Sequence, residues 1–475
     1  MSVPARLLVV LAGASLLAGC QPAKKNKNDA DSGPPAPVPL AITGMGTDVE
    51  ISPGTSDSQA EPSALVLDDG TLLAAWMDLS GYNLYVKWTR STDGGATWST
   101  PQPFDEASYA YQNDPVFLQT GNYVYFTYLL VENANATKSA VVCLDSTDGG
   151  LTWSDPVHIT AEGDFVDRQW MAGDGAGRAI MSWDRFNGNL MYQDYSESTT
   201  GCAGFTDIST VASGSFLNGV PVIDADGNGW ASRANYNMRS GTMDVTLATD
   251  TSGSWVDSKV SSSLVTATEA SSAVGENPTD EAEARDHGSE VYTSAGFARY
   301  PALSFAPKNP IYAGASGFDG FYSPVTALLP DGTIAVTTDV LENGSTTTGD
   351  TVYYDFDPKA GTTTAGLILN QDNAGAQQME PWMAVDTAGG IHTTWFDDRE
   401  GGWRLYGSTS VDGGKTWDEY TVADDTFKKG FDDYDTYHWV GHFQGLTAND
   451  TDVYAVWCDS RASGNSFCYV DHGVE

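Results

Sequence analysis

Residues 91–98 read Ser91-Thr-Asp93-Gly-Gly95-Ala-Thr97-Trp98, and the same pattern, S-x-D-G-G-x-T-W, occurs twice more along the chain. The second copy occupies residues 146–153 and the third residues 410–417. The aspartate of such a segment can accept backbone N–H bonds across a tight turn, the glycine pair permits positive φ, and the tryptophan covers the turn. We therefore predict a structural role for Asp93, Trp98, Asp148, Trp153, Asp412 and Trp417.

A longer repeating unit surrounds each of these turns. In the first unit, residues 61–98 alternate apolar runs with glycine-containing turns, a pattern typical of short antiparallel strands. Repetition of a four-stranded unit about every 50–60 residues is the signature of a β-propeller, in which each unit is one blade. We count seven units, with six or eight as alternatives, and the later ones begin near Asp114, Arg168, Gly219, Tyr322, Glu380 and Gly441. The last unit lacks a clear fourth strand, which residues 46–52 are expected to supply.

The eight-residue turn resembles the Asp-box, also called the bacterial neuraminidase repeat, of sialidase-like β-propellers. The resemblance covers residues 46–475 and implies an all-β, sialidase-like β-propeller of four-stranded blades. The one long interval between units contains residues 262–296, which are rich in Ser, Ala, Glu and Asp and predict a loop insertion.

The N-terminal segment predicts export. Arg6 precedes an apolar run, residues 7–17, that is too short to form a stable transmembrane helix. The run ends in Leu17-Ala18-Gly19-Cys20, which resembles the bacterial lipobox, in which the cysteine is lipidated and becomes the mature N-terminus. We therefore interpret residues 1–20 as a lipoprotein signal peptide with Cys20 as the lipidation site; the alternative is an ordinary signal cleaved near Ala18.

Residues 21–45 are polar and then proline-rich, so they are predicted to form a disordered tether. Gln21 follows the cysteine and favours an outer-membrane or cell-surface lipoprotein. With 23 basic and 63 acidic residues the formal net charge is −40, which excludes a nucleic-acid partner because little would neutralise phosphates. We expect membrane contact through the lipid anchor only. The expected partner is a glycan or an extracellular protein.

Four cysteines remain after Cys20, and export to an oxidising compartment predicts two disulfides. Three segments place a Trp and a Tyr around two inner neighbours expected to face each other across a hairpin: Met77 with Leu84, Phe396 with Leu405, and Cys458 with Cys468. Opposed residues of antiparallel strands are close enough for a disulfide, which predicts the Cys458–Cys468 bond. Cys143 and Cys202 would then pair by elimination, and the alternative is four reduced cysteines.

Strand alternation assigns the loops to two faces of each blade. The turns after strands one and three share one face, and the loop after strand two lies on the opposite face. That opposite face receives a second repeated signature, which consists of a Trp, an Asp one or two residues later, often an Arg, then Gly and Tyr. Either these charged residues form a polar ligand site, or each Asp–Arg pair holds its own loop.

The candidate ligand face combines the charged members of this signature with other polar residues. It comprises Asp78, Asp184, Arg185, Arg299, Glu380, Asp397, Arg399, His438, Asp459 and Arg461. We also expect Asp114, Asp167, Arg168 and His442 on this face.

No metal site is predicted. His438 and His442 have the spacing of helical metal ligands, but a strand or loop is expected there. The turn from Asp224 to Gly229 resembles the start of a calcium loop, although Asn235 stands where the usual Glu would be. We favour a hairpin turn, with a structural calcium ion as the alternative, and expect no other cofactor.

Catalytic sialidases bind the substrate carboxylate with an arginine triad, whose first member lies in an R-x-P motif that opens the first blade. In the matching stretch, Gln59-Ala-Glu61-Pro62-Ser63, Glu61 occupies the place that the resemblance gives to arginine. A carboxylate there would repel sialic acid. Arg299-Tyr300-Pro301 is similar to the missing motif but follows two Asp-boxes. We assign no catalytic residue from the resemblance.

The sequence therefore predicts an exported, lipid-anchored propeller that binds a glycan or protein ligand on the face opposite the Asp-boxes. The alternative is an exo-acting glycoside hydrolase, either sialidase-like or using two carboxylates. A third hypothesis is that the protein is an assembly module whose propeller only presents loops.

Overall fold

The computed structural model describes residues 37–51, 58–80, 83–104, 111–131, 139–160, 164–187, 190–214, 216–237, 242–264, 324–341, 349–372, 375–427, 444–461 and 466–475. These residues form an all-β structure, together with one 3-10 turn at Cys202–Gly204. None of the helical structure within these ranges is long and apolar enough to cross a membrane. Cys20, Arg299, His438, His442 and most of the predicted insertion, from residue 265 on, lie outside them.

The described strands form antiparallel blades. Two short strands come first, β1 (Gly44–Met45) and β2 (Val49–Glu50). Blade 1 contains β3 (Ser58–Val66), β4 (Leu72–Ser80), β5 (Asn83–Ser91) and β6 (Gln102–Pro103). Blade 2 contains β7 (Tyr111–Thr120), β8 (Tyr123–Val131), β9 (Ser139–Ser146) and β10 (Val157–His158). Blade 3 contains β11 (Phe165–Gly173), β12 (Ala179–Asn187), β13 (Leu190–Ser198) and β14 (Ser209–Gly214).

The second half of the chain repeats this order. Blade 4 contains β15 (Phe216–Asn218), β16 (Val222–Ile223), β17 (Gly229–Asn237), β18 (Thr242–Asp250) and β19 (Trp255–Leu264). Blade 5 contains β20 (Val325–Leu328), β21 (Ile334–Leu341), β22 (Gly349–Asp357), β23 (Thr362–Thr363) and β24 (Leu367–Ile368). Blade 6 contains β25 (Gln378–Val385), β26 (Ile391–Asp397), β27 (Arg404–Ser410) and β28 (Asp418–Thr421). Blade 7 contains β29 (Gly445–Ala448), β30 (Val453–Asp459) and β31 (Phe467–Val474).

The innermost strands of the blades close into a ring. Each of β3, β7, β11, β16, β20, β25 and β29 contacts the next, and β29 contacts β3. The described residues thus form a closed ring of antiparallel blades around a central channel, the arrangement expected of a propeller. The blade number of the whole chain stays a prediction, because residues 265–323 fall outside the described ranges.

The N-terminal strands complete the last blade. Both pair with β31, with Gly44 opposite Val474 and Val49 opposite Val470. This is the fourth strand that the sequence predicted for residues 46–52, and it begins slightly earlier. Leu40 and Ile42 are also buried in the core, so the folded unit begins at Val38 rather than at residue 46.

The three repeated turns have one common hydrogen-bond pattern. In the first, Oδ1 of Asp93 accepts the Thr97 backbone N–H at 2.9 Å, and Ser91 Oγ accepts the Gly95 N–H at 3.0 Å. Gly94 and Gly95 have φ of 71° and 83°, which a side chain would strain. In the other two turns, hydrogen bonds from the hydroxyl and then the backbone N–H of Thr152 and Thr416 lower the pKa of the Asp148 and Asp412 carboxyls to about 2.

The turn tryptophans cover their turns without being fully buried. Trp98, Trp153 and Trp417 are only half-buried, because each covers its own turn at the rim of a blade. The fully buried tryptophans belong instead to the second strands of four blades: Trp76, Trp183, Trp395 and Trp457.

Both predicted disulfides are present. Cys458 lies directly opposite Cys468 in the β30–β31 register, and Cys143 joins Cys202 with a Cα–Cα distance of 5.6 Å, linking blades 2 and 3. The pairing of inner neighbours on which the Cys458–Cys468 prediction rests is also found in blade 6, where Phe396 faces Leu405.

In blade 1 the alignment behind the disulfide prediction is wrong. Met77 faces Val86 there, not Leu84. Strand β4 ends at Ser80 and β5 begins at Asn83, so the hairpin is tight. This tight hairpin shifts the residue pairing by two positions.

Candidate functional site

Four equivalent residues occupy a strained position at the start of an inner strand. Glu61, Asp114, Arg168 and Glu380 have φ between 51° and 54°, and each lies in a β-bulge of β3, β7, β11 or β25. Non-glycine residues rarely adopt such φ, and strain of this kind concentrates at ligand sites. All four side chains are buried. These strand starts lie on the face opposite the repeated turns, which we call the loop face; the turns define the box face.

Hydrogen bonds between neighbouring blades hold these bulges in place. Gln169 Nε2 donates to the Asp114 carbonyl of the preceding blade, and Gln444 Nε2 donates to the Glu380 carbonyl at 2.7 Å. Asn218 Nδ2 donates to the Arg168 carbonyl at 2.8 Å. The conformation is therefore set by the assembled ring and not by the local sequence alone.

A central cavity of about 260 Å³ lies within this ring. Glu61, Asp114 and Gln444 line its loop-face end, while Trp170 and Trp382 contribute aromatic surface immediately inside. Gln444 Oε1 is buried and accepts no hydrogen bond from the described residues. The lining of the cavity thus contains two acidic residues, an amide and two indole rings, which suits a ligand with hydroxyl groups and an apolar face.

The repeated Trp–Asp–Arg signature has a different role in blades 6 and 7. Arg399 bonds Asp397 at 2.6 Å and Glu419 at 2.7 Å, and its guanidinium lies 4.2 Å from the centre of the Tyr406 ring. Although burial lowers the pKa of Arg399, the hydrogen bonds to both carboxylates raise it overall. Arg461 likewise bonds Asp459 through Nε at 2.8 Å. Each pair holds its own loop, and none of these four charged residues lines the cavity.

Blades 1 and 3 depart from that arrangement. Asp78 pairs with Lys87 at 2.9 Å, since blade 1 has no arginine in the signature. Arg185 pairs with Asp194 at 2.5 Å and with Asp164 at 3.2 Å, not with Asp184. In blade 3 the acid and the arginine are adjacent, so Asp184 and Arg185 point to opposite sides of the strand, whereas Asp397 and Arg399 of blade 6 are two residues apart.

The structure separates the predicted ligand-face residues into two groups. Glu380 belongs to the ring of bulges, together with Asp114 and Arg168, which the sequence also placed on this face. The signature residues stand one strand further out and act as supports: Asp397 accepts a hydrogen bond at 3.0 Å from Gln378, two residues before Glu380.

Sequence reasoning did not identify Glu61 as a cavity residue, nor Trp170, Trp382 and Gln444. One signal could have found part of the ring. An acid followed by proline opens three units, as Glu61-Pro62, Asp114-Pro115 and Glu380-Pro381.

The turn at Asp224 is a hairpin turn. Its Oδ1 accepts the backbone N–H groups of Asp226 and Asn228, and Oδ2 accepts the Trp230 indole N–H at 2.9 Å. Both carboxylate oxygens are therefore used by the turn itself, which does not suit a calcium ligand. Among the described residues, no cluster of three or more His, Cys, Asp or Glu is arranged to hold a metal ion.

Comparisons with known proteins agree with the architecture. No family model matches the sequence, and a search of curated proteins finds no relative. Among solved structures, a mutant alpha-L-arabinofuranosidase of Fusarium graminearum, in complex with an iminosugar inhibitor, has a TM-score of 0.51 at 13% identity and covers 90% of this chain and 97% of its own. The alpha-L-arabinanase of Penicillium chrysogenum, complexed with arabinobiose, has a TM-score of 0.47 at 14% identity and covers 90% of this chain and 98% of its own. The Trypanosoma rangeli sialidase in complex with sialic acid has a TM-score of 0.42 at 11% identity and covers 92% of this chain and 59% of its own.

The closed ring of antiparallel blades and the first of these similarities define the class of the protein. It is an all-β protein with the sialidase-like β-propeller fold. At such low identity the similarity defines the fold alone.

Proposed function

We propose that the protein binds a neutral carbohydrate at the loop-face end of its central channel. The observation that supports this proposal is that Glu61 and Asp114 line the same cavity as Trp170 and Trp382. A sugar presents hydroxyl groups at its edges and C–H groups on its faces, so carboxylate oxygens beside indole rings complement both. The structurally similar alpha-L-arabinofuranosidase of Fusarium graminearum, which is in complex with an iminosugar inhibitor, supports a carbohydrate as the ligand class.

The acidic character of the site favours a neutral ligand. Glu61 and Asp114 both line the cavity, whereas no basic residue is among the described residues that line it. Two carboxylates would repel the carboxylate of sialic acid, and the chain as a whole carries a net charge of −40. We therefore expect no turnover of a fluorogenic sialoside.

A second candidate function is hydrolysis of a glycosidic bond. Glycoside hydrolases commonly use two carboxylates on either side of the scissile bond. Glu61 and Asp114 occupy adjacent blades, and both have the positive φ that marks a strained, positioned residue. A panel of fluorogenic neutral glycosides separates this function from simple binding, because only hydrolysis releases the fluorophore.

We further propose that the protein is an exported lipoprotein of the outer membrane or cell surface, tethered through Cys20. The signal-like residues 1–20 and the two disulfides support export.

The binding proposal is tested with a glycan array followed by isothermal titration calorimetry. Glu61→Gln keeps the size of the side chain and removes its charge, so affinity for the best ligand should fall roughly tenfold or more. Asp155→Asn is the matched control, because Asp155 is an exposed carboxylate next to a box-face turn. Equal affinity of Glu61→Gln and the parent protein would place the ligand elsewhere.

A further inference from the structure

The box-face turns fill the clefts between blades. Gly150, in the turn of blade 2, lies so close to Leu73 of blade 1 that a Cβ would come within 3.0 Å of it. Gly414, in the turn of blade 6, packs in the same way against Tyr353 of blade 5, and Gly95 of blade 1 packs against Val470 of blade 7. Each such turn therefore closes the cleft toward the preceding blade.

Blade 4 lacks this closing turn. Asp250 and Trp255 have the same spacing as Asp412 and Trp417, but β18 and β19 are joined by the short hairpin Thr251–Ser254, with Asp250 opposite Trp255. Ser252 and Gly253 have positive φ, as the glycine pair does elsewhere, yet they are shifted along the chain by one residue.

The tryptophan nevertheless occupies the usual place. Its ring centroid lies 5.0 Å from that of Tyr195 in blade 3, and Trp417 lies 5.0 Å from Tyr353 in the same edge-on manner. The aromatic pair of a closed cleft is thus present at the boundary of blades 3 and 4, without the turn that covers it elsewhere.

An open groove of about 510 Å³ results at this boundary on the box face. Tyr195 and Trp255 form its aromatic surface, and Gly229 permits the close approach of Tyr195, because a Cβ there would collide with the tyrosine hydroxyl. The core beneath is small. It contains four buried apolar side chains among the described residues: Ile180, Tyr195, Ile223 and Ala231.

Polar groups surround the aromatic pair. Arg178 donates to Oε2 of Glu197 through Nε at 3.1 Å and also to the Gly227 carbonyl, which fixes both charged groups at the groove. Glu197 Oε1 accepts no hydrogen bond from the described residues, and the Glu197 side chain is 52% exposed. Asp207 and Asp250 line the groove as further acceptors.

We infer that this groove is a second carbohydrate-binding site, which takes a neutral oligosaccharide. Trp255 supplies a stacking surface for the apolar face of a sugar ring, and Glu197, Asp207 and Asp250 accept hydrogen bonds from the hydroxyl groups at its edge. An acidic polysaccharide is excluded by the three carboxylates, which outnumber Arg178. The groove lies on the face opposite the proposed channel site, so one protein molecule binds two segments of carbohydrate.

The test isolates the groove from the channel. The probes are neutral hexasaccharides of arabinose, xylose, glucose and mannose, titrated by calorimetry into a Glu61→Gln/Trp382→Ala variant in which the channel site is impaired. Trp255→Ala in that background should weaken binding roughly tenfold or more, as loss of a central aromatic contact does. Trp417→Ala is the matched control, because it removes the equivalent tryptophan from a closed cleft and should leave affinity unchanged.

A second variant does not depend on removing a side chain. Replacing residues 248–255 by the turn sequence of residues 410–417 should fill the groove and abolish binding while raising the thermal midpoint. Binding that persists in both the Trp255→Ala and the replacement variants overturns the second site. So does the absence of binding by any hexasaccharide in the channel-impaired background. Neither result bears on the channel, whose own test is Glu61→Gln in the otherwise unchanged protein.

Discussion

Trp170 of blade 3 and Trp382 of blade 6 meet across the central channel, with their ring centroids 5.1 Å apart. Each follows a strained bulge residue, Arg168 or Glu380, by two positions. The bulges thus set the polar ring, and the strand residues just beyond it narrow the channel with aromatic surface. A ligand that enters from the loop face meets carboxylates first and indole rings next.

Removing one of these rings should weaken carbohydrate binding. For Trp382→Ala we expect the dissociation constant to rise roughly tenfold or more, because an aromatic residue at the centre of a binding site carries much of the binding energy. Calorimetry with the best array ligand measures this. Trp417→Ala removes another half-buried tryptophan, on the box face, and should leave the dissociation constant unchanged even though both variants lose stability.

The two disulfides should contribute unequally to stability. They close loops with sequence separations of 59 for Cys143–Cys202 and 10 for Cys458–Cys468. On the chain-entropy model these loops correspond to about 4 and about 3 kcal/mol. Chemical denaturation of the two double Cys→Ala variants should therefore show the larger loss for the first pair. The opposite order would show that strain or residual unfolded-state structure outweighs loop closure.

Asp471 should make the protein less stable at neutral pH and above than at pH 4. Burial, and then the nearby carboxylates of Asp48 and Asp424, raise its pKa to about 7, against 3.8 ordinarily. The folded state therefore favours the protonated carboxyl, and its stabilising contribution is complete below about pH 4 and lost as the pH rises to 7.

Asp471→Asn should remove this loss and stabilise the protein at pH 8, with an upper limit of about 4 kcal/mol. Its advantage over the parent should shrink toward pH 4. Thermal unfolding across this range measures both, and Asp425→Asn, at an exposed carboxylate, is the control. A variant that is less stable than the parent at pH 8 would contradict the raised pKa.

Cys20→Ser should release the protein from membranes. Among the described residues no helix can span a bilayer, and residues 7–17 are too short to do so as a stable helix. Membrane fractionation of cells that produce the parent and the variant decides this. A variant that stays with the membrane fraction would show that something other than lipidation holds the protein there.

The sequence predicted most of the fold because its signals are local. The turn with Asp93 and Trp98 is complete within eight residues, and the blade boundaries follow from strand alternation. The pairing of Cys458 with Cys468 also depends only on one hairpin. In blade 1, by contrast, a shorter hairpin changed the register, and the residue facing Met77 was predicted wrongly.

The candidate site was harder to predict because it arises between blades. The positive φ of Asp114 depends on a hydrogen bond from Gln169, one blade further along the chain. Glu61 stood out in the sequence only as a replaced arginine, and nothing local showed that it would line a cavity. Trp170 and Trp382 come together only when the ring closes.

The most direct test is a crystal structure of the protein soaked with its best glycan-array ligand. We predict a sugar ring at the loop-face end of the channel, within hydrogen-bond distance of Glu61 or Asp114 and in contact with Trp170 or Trp382. Occupied density elsewhere on the molecule together with an empty channel mouth would contradict the account.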